Sequence, residues 1–194
     1  MMLPKTPDMS DEEIVQMAIT EKAFFGHIVS RYEDKLDRYI HRLGIHNGED
    51  RQDVLQEIFI KVYKNLNGFD TSLSFSSWIY RIAHNEAISM YRKKNVRPEG
   101  HTIAGSDEVL LFAPSNEDSA EMLFDKKINA QTVAKAIDSL DPKYKDVLLL
   151  RFFEHKEYDE ISDILKIPIG TVGTLVHRGK TKLKEHINQE HIRI

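Results

Sequence analysis

The sequence predicts an all-α protein: two small helical domains joined by a flexible linker, the second ending in a helix-turn-helix. Three observations predict it. Apolar residues recur at three- and four-residue steps in almost every window, and alternating β-branched runs are missing. Between Pro98 and about Ser119 this periodicity gives way to Pro, Gly, Ser and acidic residues, the composition of a linker. From Glu157 to Ile187 the stretch EYDEISDILKIPIGTVGTLVHRGKTKLKEHI holds two amphipathic segments around a tight turn.

The elements follow in order. Ser10 or Asp11 can cap a first helix through about Phe25, with Asp11, Glu12 and Glu13 in its first turn, where the helix dipole favours negative charge. Ile28 to Leu43 reads as a second helix, stopped near Gly44 and Asn47–Gly48. Asp50 to Leu66 is a third, ended by Asn67–Gly68, and Phe75 to Lys94 a fourth, ended before Pro98. Within the linker, Val109–Phe112 is an apolar island that fits either docking onto a partner or packing on the nearest surface. Helices resume at about Ala120 to Ser139 and at Pro142 to His155, the latter with Asp141 at the cap and Pro142 just inside.

In the closing helix-turn-helix, Ile161, Ile164 and Leu165 form the stripe of a short helix, and Lys166–Ile167 fill the turn. Pro168 fits the first position of the next helix. There Val172, Leu175, Val176, Gly179 and Leu183 share a buried stripe, opposite Gly170, Thr174, His177, Arg178 and Thr181, with Lys180, Lys182 and Lys184 alongside. Small polar residues near a helix N-terminus permit close approach to base edges, and the cations that follow neutralise phosphates. The pattern suits the major groove of duplex DNA. A plain helical hairpin with a solvated basic face has the same periodicity.

Composition bounds the alternatives. The 194 residues leave room for one domain or two small ones. A net charge of −4, with 41% hydrophobic and 30% charged residues, describes a globular chain and excludes one that coats nucleic acid over its whole surface. Cysteine is absent, which removes disulfides, thiolate zinc sites and cysteine nucleophiles and fits a reducing compartment. The N-terminus lacks the apolar core of a signal peptide, and no uninterrupted apolar run could cross a bilayer. A cytoplasmic protein without direct membrane insertion is expected.

The first domain carries two unusual helix faces. On the third helix, Leu55, Ile58, Phe59, Val62 and Leu66 form the buried stripe, while Asp53, Gln56, Glu57, Ile60 and Lys64 face away. An isoleucine among outward charges fits a docking surface, and equally an ordinary exposed apolar residue. The fourth helix has Phe75, Trp78, Ile79 and Ile82 on one side, and Tyr80, Ala87 and Tyr91 on another with Arg81 and Arg92 beside them, running on to Lys93, Lys94 and Arg97. Aromatics interleaved with cations suit single-stranded nucleic acid, where bases stack on rings and cations track the backbone. Trp78, Ile79 and Ile82 are assigned to the core, and Tyr80, Tyr91 and the terminal cations to the candidate surface.

Together these segments resemble one family, the extracytoplasmic-function sigma factors of bacterial RNA polymerase, over about Ile14 to Ile187. DVLQEIFIKVYKNL resembles the helix that binds the polymerase clamp, FSSWIYRIAHNEAISMYRKK the minus-ten recognition helix, and LDPKYKDVLLLRFFEHKEYDEISDILKIPIGTVGTLVHRGKTKL the minus-thirty-five-binding domain. IPIGTV is the most specific signature. The resemblance implies region 2 over residues 10–97, a linker over 98–119 that passes towards the RNA exit path, and region 4 over 120–190. It implies that Asp53, Gln56, Glu57 and Ile60 bind the β′ clamp helices of core RNA polymerase. Tyr80, Arg81, Asn85, Tyr91, Arg92 and Lys93 would line the single-stranded minus-ten DNA, and the loop from Asn67 to Ser74 would cradle a flipped base. Thr171, Thr174, His177 and Arg178 would face the minus-thirty-five duplex, with Lys180 and Lys182 near phosphates. The implied partners are core polymerase (β′ clamp helices and β flap), promoter DNA and an anti-sigma factor, with no cofactor.

The chain departs from the family at Gly173, where Lys or Arg is common, at Leu175, where Arg is, at Ser89, where Asp is usual, and at Asp141, where Pro is. With fewer cations, duplex binding by the second domain alone should be weak. Two other readings compete. A stand-alone helix-turn-helix regulator accounts for Glu157 to Ile187 and leaves the aromatic–basic helix without a purpose. A helical metal-dependent hydrolase would draw on the nine histidines, but no HExxH pattern or Gly-rich phosphate loop occurs, so no catalytic or metal-ligating set is expected.

Overall fold

A computed structural model describes residues 9–95 and 130–192. The linker at 98–119, its island Val109–Phe112, and the start of the helix expected from Ala120 lie outside the described residues. All regular elements among the described residues are helical, and the chain divides into two compact units, one built from the N-terminal half and one from the C-terminal half together with Arg42–Gly44.

In the N-terminal unit, α1 (Asp11–Thr20) begins with a capping box: Glu13 N–H donates to Ser10 Oγ at 3.1 Å and Ser10 N–H to the Glu13 carboxylate at 2.7 Å. It stops at Thr20, short of the expected Phe25. Glu21 turns to extended backbone, the Thr20 hydroxyl donates to Met17 O, and a 3₁₀ turn (Lys22–Phe24) leads into α2 (Phe25–Arg42). Ile28, Tyr32, Leu36, Tyr39 and Ile40 form the buried stripe of α2. Gly44 ends this segment with φ 111°, where a side chain would be strained.

The third helix, α3 (Gly48–Asn65), starts earlier than expected because Asn47 caps it, accepting from Asp50 N–H at 3.0 Å. Asn47–Gly48 is therefore a start signal as well as a stop. A 3₁₀ turn (Leu66–Gly68) and a loop connect α3 to α4 (Phe75–Asn95). Phe75, Ile79, Ala83 and Ala87 are buried, which puts α4 in the middle of the unit. Phe75 meets Tyr32 edge-on at 5.7 Å and Phe69 at 5.5 Å, and Trp78 closes the cluster 5.0 Å from Phe69.

In the C-terminal unit, α5 is Ala130–Asp138 and α6 is Pro142–Leu148. Asp141 occupies the N-cap of α6 as expected, but its carboxylate makes no capping bond. The helix continues as one π turn (Leu149–Phe153) and ends before the expected His155, which takes φ 51°. Lys156 N–H then donates to Leu150 O at 2.9 Å. The pair α7 (Tyr158–Leu165) and α8 (Ile169–Ile192) completes the unit around Tyr144, Val147, Leu148, Leu149, Ile161 and Val176, all buried.

Candidate nucleic-acid interface

The turn between α7 and α8 is locked by its own polar groups. Lys166 adopts the left-handed conformation at φ 54° and donates to Ser162 O. The Ser162 hydroxyl donates to Ile167 O at 2.6 Å. The first helical residue of α8 is Ile169. Pro168 stands one place before it, and its carbonyl accepts from Val172 N–H at 3.1 Å. The proline sits one position earlier than the sequence suggests, because it supplies the acceptor that starts the helix.

At 3.6 residues per turn, the buried Val172, Val176, Gly179 and Leu183 lie half a turn away from Thr174. Gly170, Thr174, His177, Arg178 and Thr181 share the exposed side, as the periodicity predicts, with Thr171 exposed beside them; Leu175, expected in the buried stripe, is half-buried. The open face is shaped by small groups. A Cβ at Gly170 would meet nothing within 4 Å. Thr174 and Thr181 donate their hydroxyls back to Gly170 O and His177 O, at 3.0 and 3.3 Å. That leaves their oxygens available as acceptors. Lys180 and Lys182 flank the face on opposite sides, folded back over rings of their own unit, with Nζ 5.5 Å from Phe152 and 5.7 Å from Tyr144. Their stems cover apolar surface while the ammonium groups stay at the margin of the face.

On α4, Ile79 is buried as expected while Trp78 and Ile82, also assigned to the core, are half-buried, and one candidate surface residue changes place. Tyr80 is 3% exposed and packs against Tyr39 with ring centroids 5.2 Å apart. It is a core residue, and in this arrangement no base can stack on it. The stripe Tyr80, His84, Ala87, Tyr91 starts in the core and surfaces only at its end, where Tyr91 is 50% exposed. Arg81, Asn85 and Arg92 share an adjacent stripe, with Arg81 half-buried and Asn85 and Arg92 exposed; Lys93 is exposed too. Among the described side chains, the exposed surface of α4 is therefore Asn85, Tyr91, Arg92 and Lys93, bordered by Arg81. His84 lies beneath it with Nδ1 3.0 Å from the Tyr39 hydroxyl, and burial pulls its pKa down to about 4, so it is neutral at neutral pH.

The loop ahead of α4 is ordered from both ends. Phe69 is buried in the aromatic cluster. At the tip, Asp70 accepts from Ser72 N–H at 3.0 Å and from the Ser72 hydroxyl at 2.8 Å, and these bonds hold its carboxyl below the usual range. Leu73, at 61%, is the most exposed large apolar residue described. At the far end, Ser74 caps α4 and Glu12 of α1 accepts from Phe75 N–H at 3.1 Å. Leu73 does not stand out in the sequence pattern, because it lies in a loop; Ile169, 55% exposed, falls in register with Val172 and Val176 but stands in the first turn of α8, ahead of the buried part of that stripe.

Asp53, Gln56 and Glu57 are exposed on α3, and Ile60 is half-buried beside them, over a stripe of buried Val54, Leu55, Ile58 and Val62. Phe59, expected in the stripe, is half-buried. Lys61, one turn along from Glu57, joins α3 to Glu86 of α4 at 2.5 Å. His46 Nδ1 and His41 Nε2 lie 3.2 Å apart, and among the described residues no three His, Asp or Glu side chains converge as metal ligands. Nor, among those residues, is any helix long and apolar enough to cross a membrane.

Residues 28–97 match the Sigma-70 region 2 family and residues 130–183 the Sigma-70 region 4 family. The chain is 31% identical over 185 residues to the ECF RNA polymerase sigma factor SigW of Bacillus subtilis (strain 168), covering 92% of this chain and 97% of that protein. Two solved structures share its fold. CnrH, in complex with the cytosolic domain of CnrY, aligns with a TM-score of 0.68 at 20% identity over 92% of this chain and 97% of that one. The sigma factor RpoE, in complex with the anti-sigma factor NepR from Bartonella quintana, aligns with a TM-score of 0.65 at 18% identity over 84% and 96%.

Proposed function

The chain belongs to the extracytoplasmic-function family of RNA polymerase sigma factors, alternative sigma factors that direct transcription initiation, and from that premise we propose how its surfaces divide the work. Region 2 comprises residues 10–97, a linker 98–119, and region 4 residues 120–190. Asp53, Gln56, Glu57 and Ile60 dock on the β′ clamp helices of core polymerase, where the half-buried isoleucine supplies the apolar centre and the acids the polar rim. Asn85, Tyr91, Arg92 and Lys93, with Arg81 at the border, follow the non-template strand of the minus-ten element. The exposed Tyr91 offers the stacking surface that buried Tyr80 does not. The loop from Asn67 to Ser74 receives a base flipped from that strand. Thr171, Thr174, His177 and Arg178 approach base edges of the minus-thirty-five duplex, while Lys180 and Lys182 swing from their rings towards phosphates. Region 4 also docks on the β flap.

The chain makes no bonds itself; the polymerase holds the active site. It works in the cytoplasm, where its template is. The complex of RpoE with an anti-sigma factor supports a similar inhibitor for this chain, one that covers the polymerase-binding surfaces. The observation that carries the reading is the division of α8 into a buried stripe against its own unit and an opposite face of small and basic groups. Titration of the labelled chain with purified core polymerase tests it, with a saturable one-to-one complex expected. Absence of any complex would overturn it.

A further inference from the structure

The three acids that open α1 make three different contacts. Asp11 bonds Arg31 at 2.7 Å and accepts from the Tyr32 hydroxyl, both on α2. Glu13 closes the capping box with Ser10. Glu12 reaches out of its own helix and accepts from the N–H of Phe75, the first residue of α4, at 3.1 Å. The start of α4 is thereby capped twice: Ser74 Oγ accepts from Ser77 N–H at 3.2 Å, and the carboxylate of Glu12 takes the N–H that Ser74 cannot reach. That carboxylate also sits at the positive end of the α4 dipole. The exposed loop tip, Asp70 to Ser74, hangs between the buried Phe69 and this double cap. A cleft lined by Met9, Glu12, Glu13, Gln16 and Met17 reaches the loop at Thr71.

We propose that Glu12 is a positioning residue for promoter opening: by tying α4's first N–H to α1, it fixes the C-terminal end of the 67–74 loop in the geometry that holds the flipped minus-ten base. The inference rests on the assignment of that loop as the base cradle. Its physical basis is preorganisation. Without that bond the C-terminal end of the loop keeps only the Ser74 cap and the burial of Phe75, and the extra ordering it then needs when the base arrives lowers the affinity for the base.

The test uses holoenzyme assembled from the full chain and core polymerase. The probes are single-stranded non-template oligonucleotides spanning the minus-ten element of a mapped promoter, intact or with one abasic site at each position in turn. In the wild type, one position should show a penalty of about 10-fold when its base is removed. In Glu12→Ala, and in Glu12→Asp, whose carboxylate falls short of Phe75, that penalty should shrink to about 2-fold while other positions keep theirs. Glu12→Gln retains an acceptor of the same reach and should restore it. An undiminished penalty in the Ala and Asp variants would overturn the role of Glu12 and leave the loop assignment standing. A wild type with no sensitive position would overturn the loop assignment, and this inference with it. Should Glu12→Ala not fold, the Asp and Gln pair decides by the same ratio.

Discussion

Gly179 of α8 lies so close to Leu148 of α6 that a Cβ at 179 would stand 3.2 Å from both Leu148 Cγ and Cδ1. Leu148 is itself fully buried, so it has little room to retreat. On the same helix, a Cβ at Gly173 would meet only the Tyr158 ring at 3.6 Å, an ordinary contact. Gly173→Ala should therefore stabilise region 4 by about 0.5–1 kcal/mol through helix propensity. At 179 the same gain is offset by crowding, and Gly179→Leu should destabilise by about 1–3 kcal/mol. Urea unfolding checks both. Equal stabilisation at the two positions would show that α6 and α8 pack more loosely than described.

Reversing the charge at Glu57 tests the clamp surface. Glu57 is exposed, so Glu57→Lys should leave unfolding free energy within about 0.5 kcal/mol of wild type. Binding to core polymerase should weaken at least about 10-fold, because a like charge inside an interface rim costs on the order of a kcal/mol or more. Ile60→Lys should do the same with some loss of stability, since Ile60 is half-buried. Unchanged affinity in both variants would remove α3 from the polymerase interface.

The two tyrosines of α4 should separate cleanly. Tyr91→Ala should weaken binding of single-stranded minus-ten DNA by about 1–3 kcal/mol and leave the fold intact. Tyr80→Ala, which opens a cavity beside Tyr39, should cost about 3–5 kcal/mol of stability whatever the DNA. Circular dichroism melts and fluorescence anisotropy on the same samples distinguish the outcomes.

Burial of His84 makes region 2 acid-sensitive. Its folded pKa of about 4 lies below the usual histidine value of 6.5, so between these values the unfolded chain binds more protons than the folded one. Stability contributed by the neutral imidazole is full above pH 6.5 and is lost as pH falls towards 4, to the extent of about 3 kcal/mol. His84→Gln can keep a bond to the Tyr39 hydroxyl without titrating, and should flatten that part of the stability–pH curve.

Arg178 is exposed on the open face of α8. If it reads a base, Arg178→Ala should cost about 1–3 kcal/mol on the cognate minus-thirty-five element and much less on one altered at that base. If it touches only phosphate, the loss should be uniform across sequences and the salt slope shallower by about one. Competition binding at several salt concentrations decides between the two.

Much of this was legible in the residues, for reasons that differ by element. The buried stripe and open face of α8 follow from helical periodicity, and the cap Ser10 is a local signal; Asn47 reads in the sequence as a stop, and its capping of α3 shows only in the bond from Asp50 N–H. Tyr80 and Tyr91 sit on one stripe, and periodicity cannot say where along it the core ends; that depends on Tyr39, on another helix. The π turn at Leu149–Phe153 and the short end of α1, where Glu21 N–H and the Thr20 hydroxyl both donate to Met17 O, are matters of backbone geometry that leave no composition signature. The contact of Glu12 with Phe75 spans 63 positions, and in the sequence Glu12 is simply one of three acids at a helix start.

Transcription in vitro tests the central claim most directly: purified core polymerase, with and without this chain, on a library of genomic fragments. Discrete transcripts with defined start sites should appear only when both are present, and Glu57→Lys should abolish them. No transcript from any fragment, together with tight binding of duplex DNA by the chain alone, would contradict the assignment of these surfaces and point to a regulator that acts without polymerase.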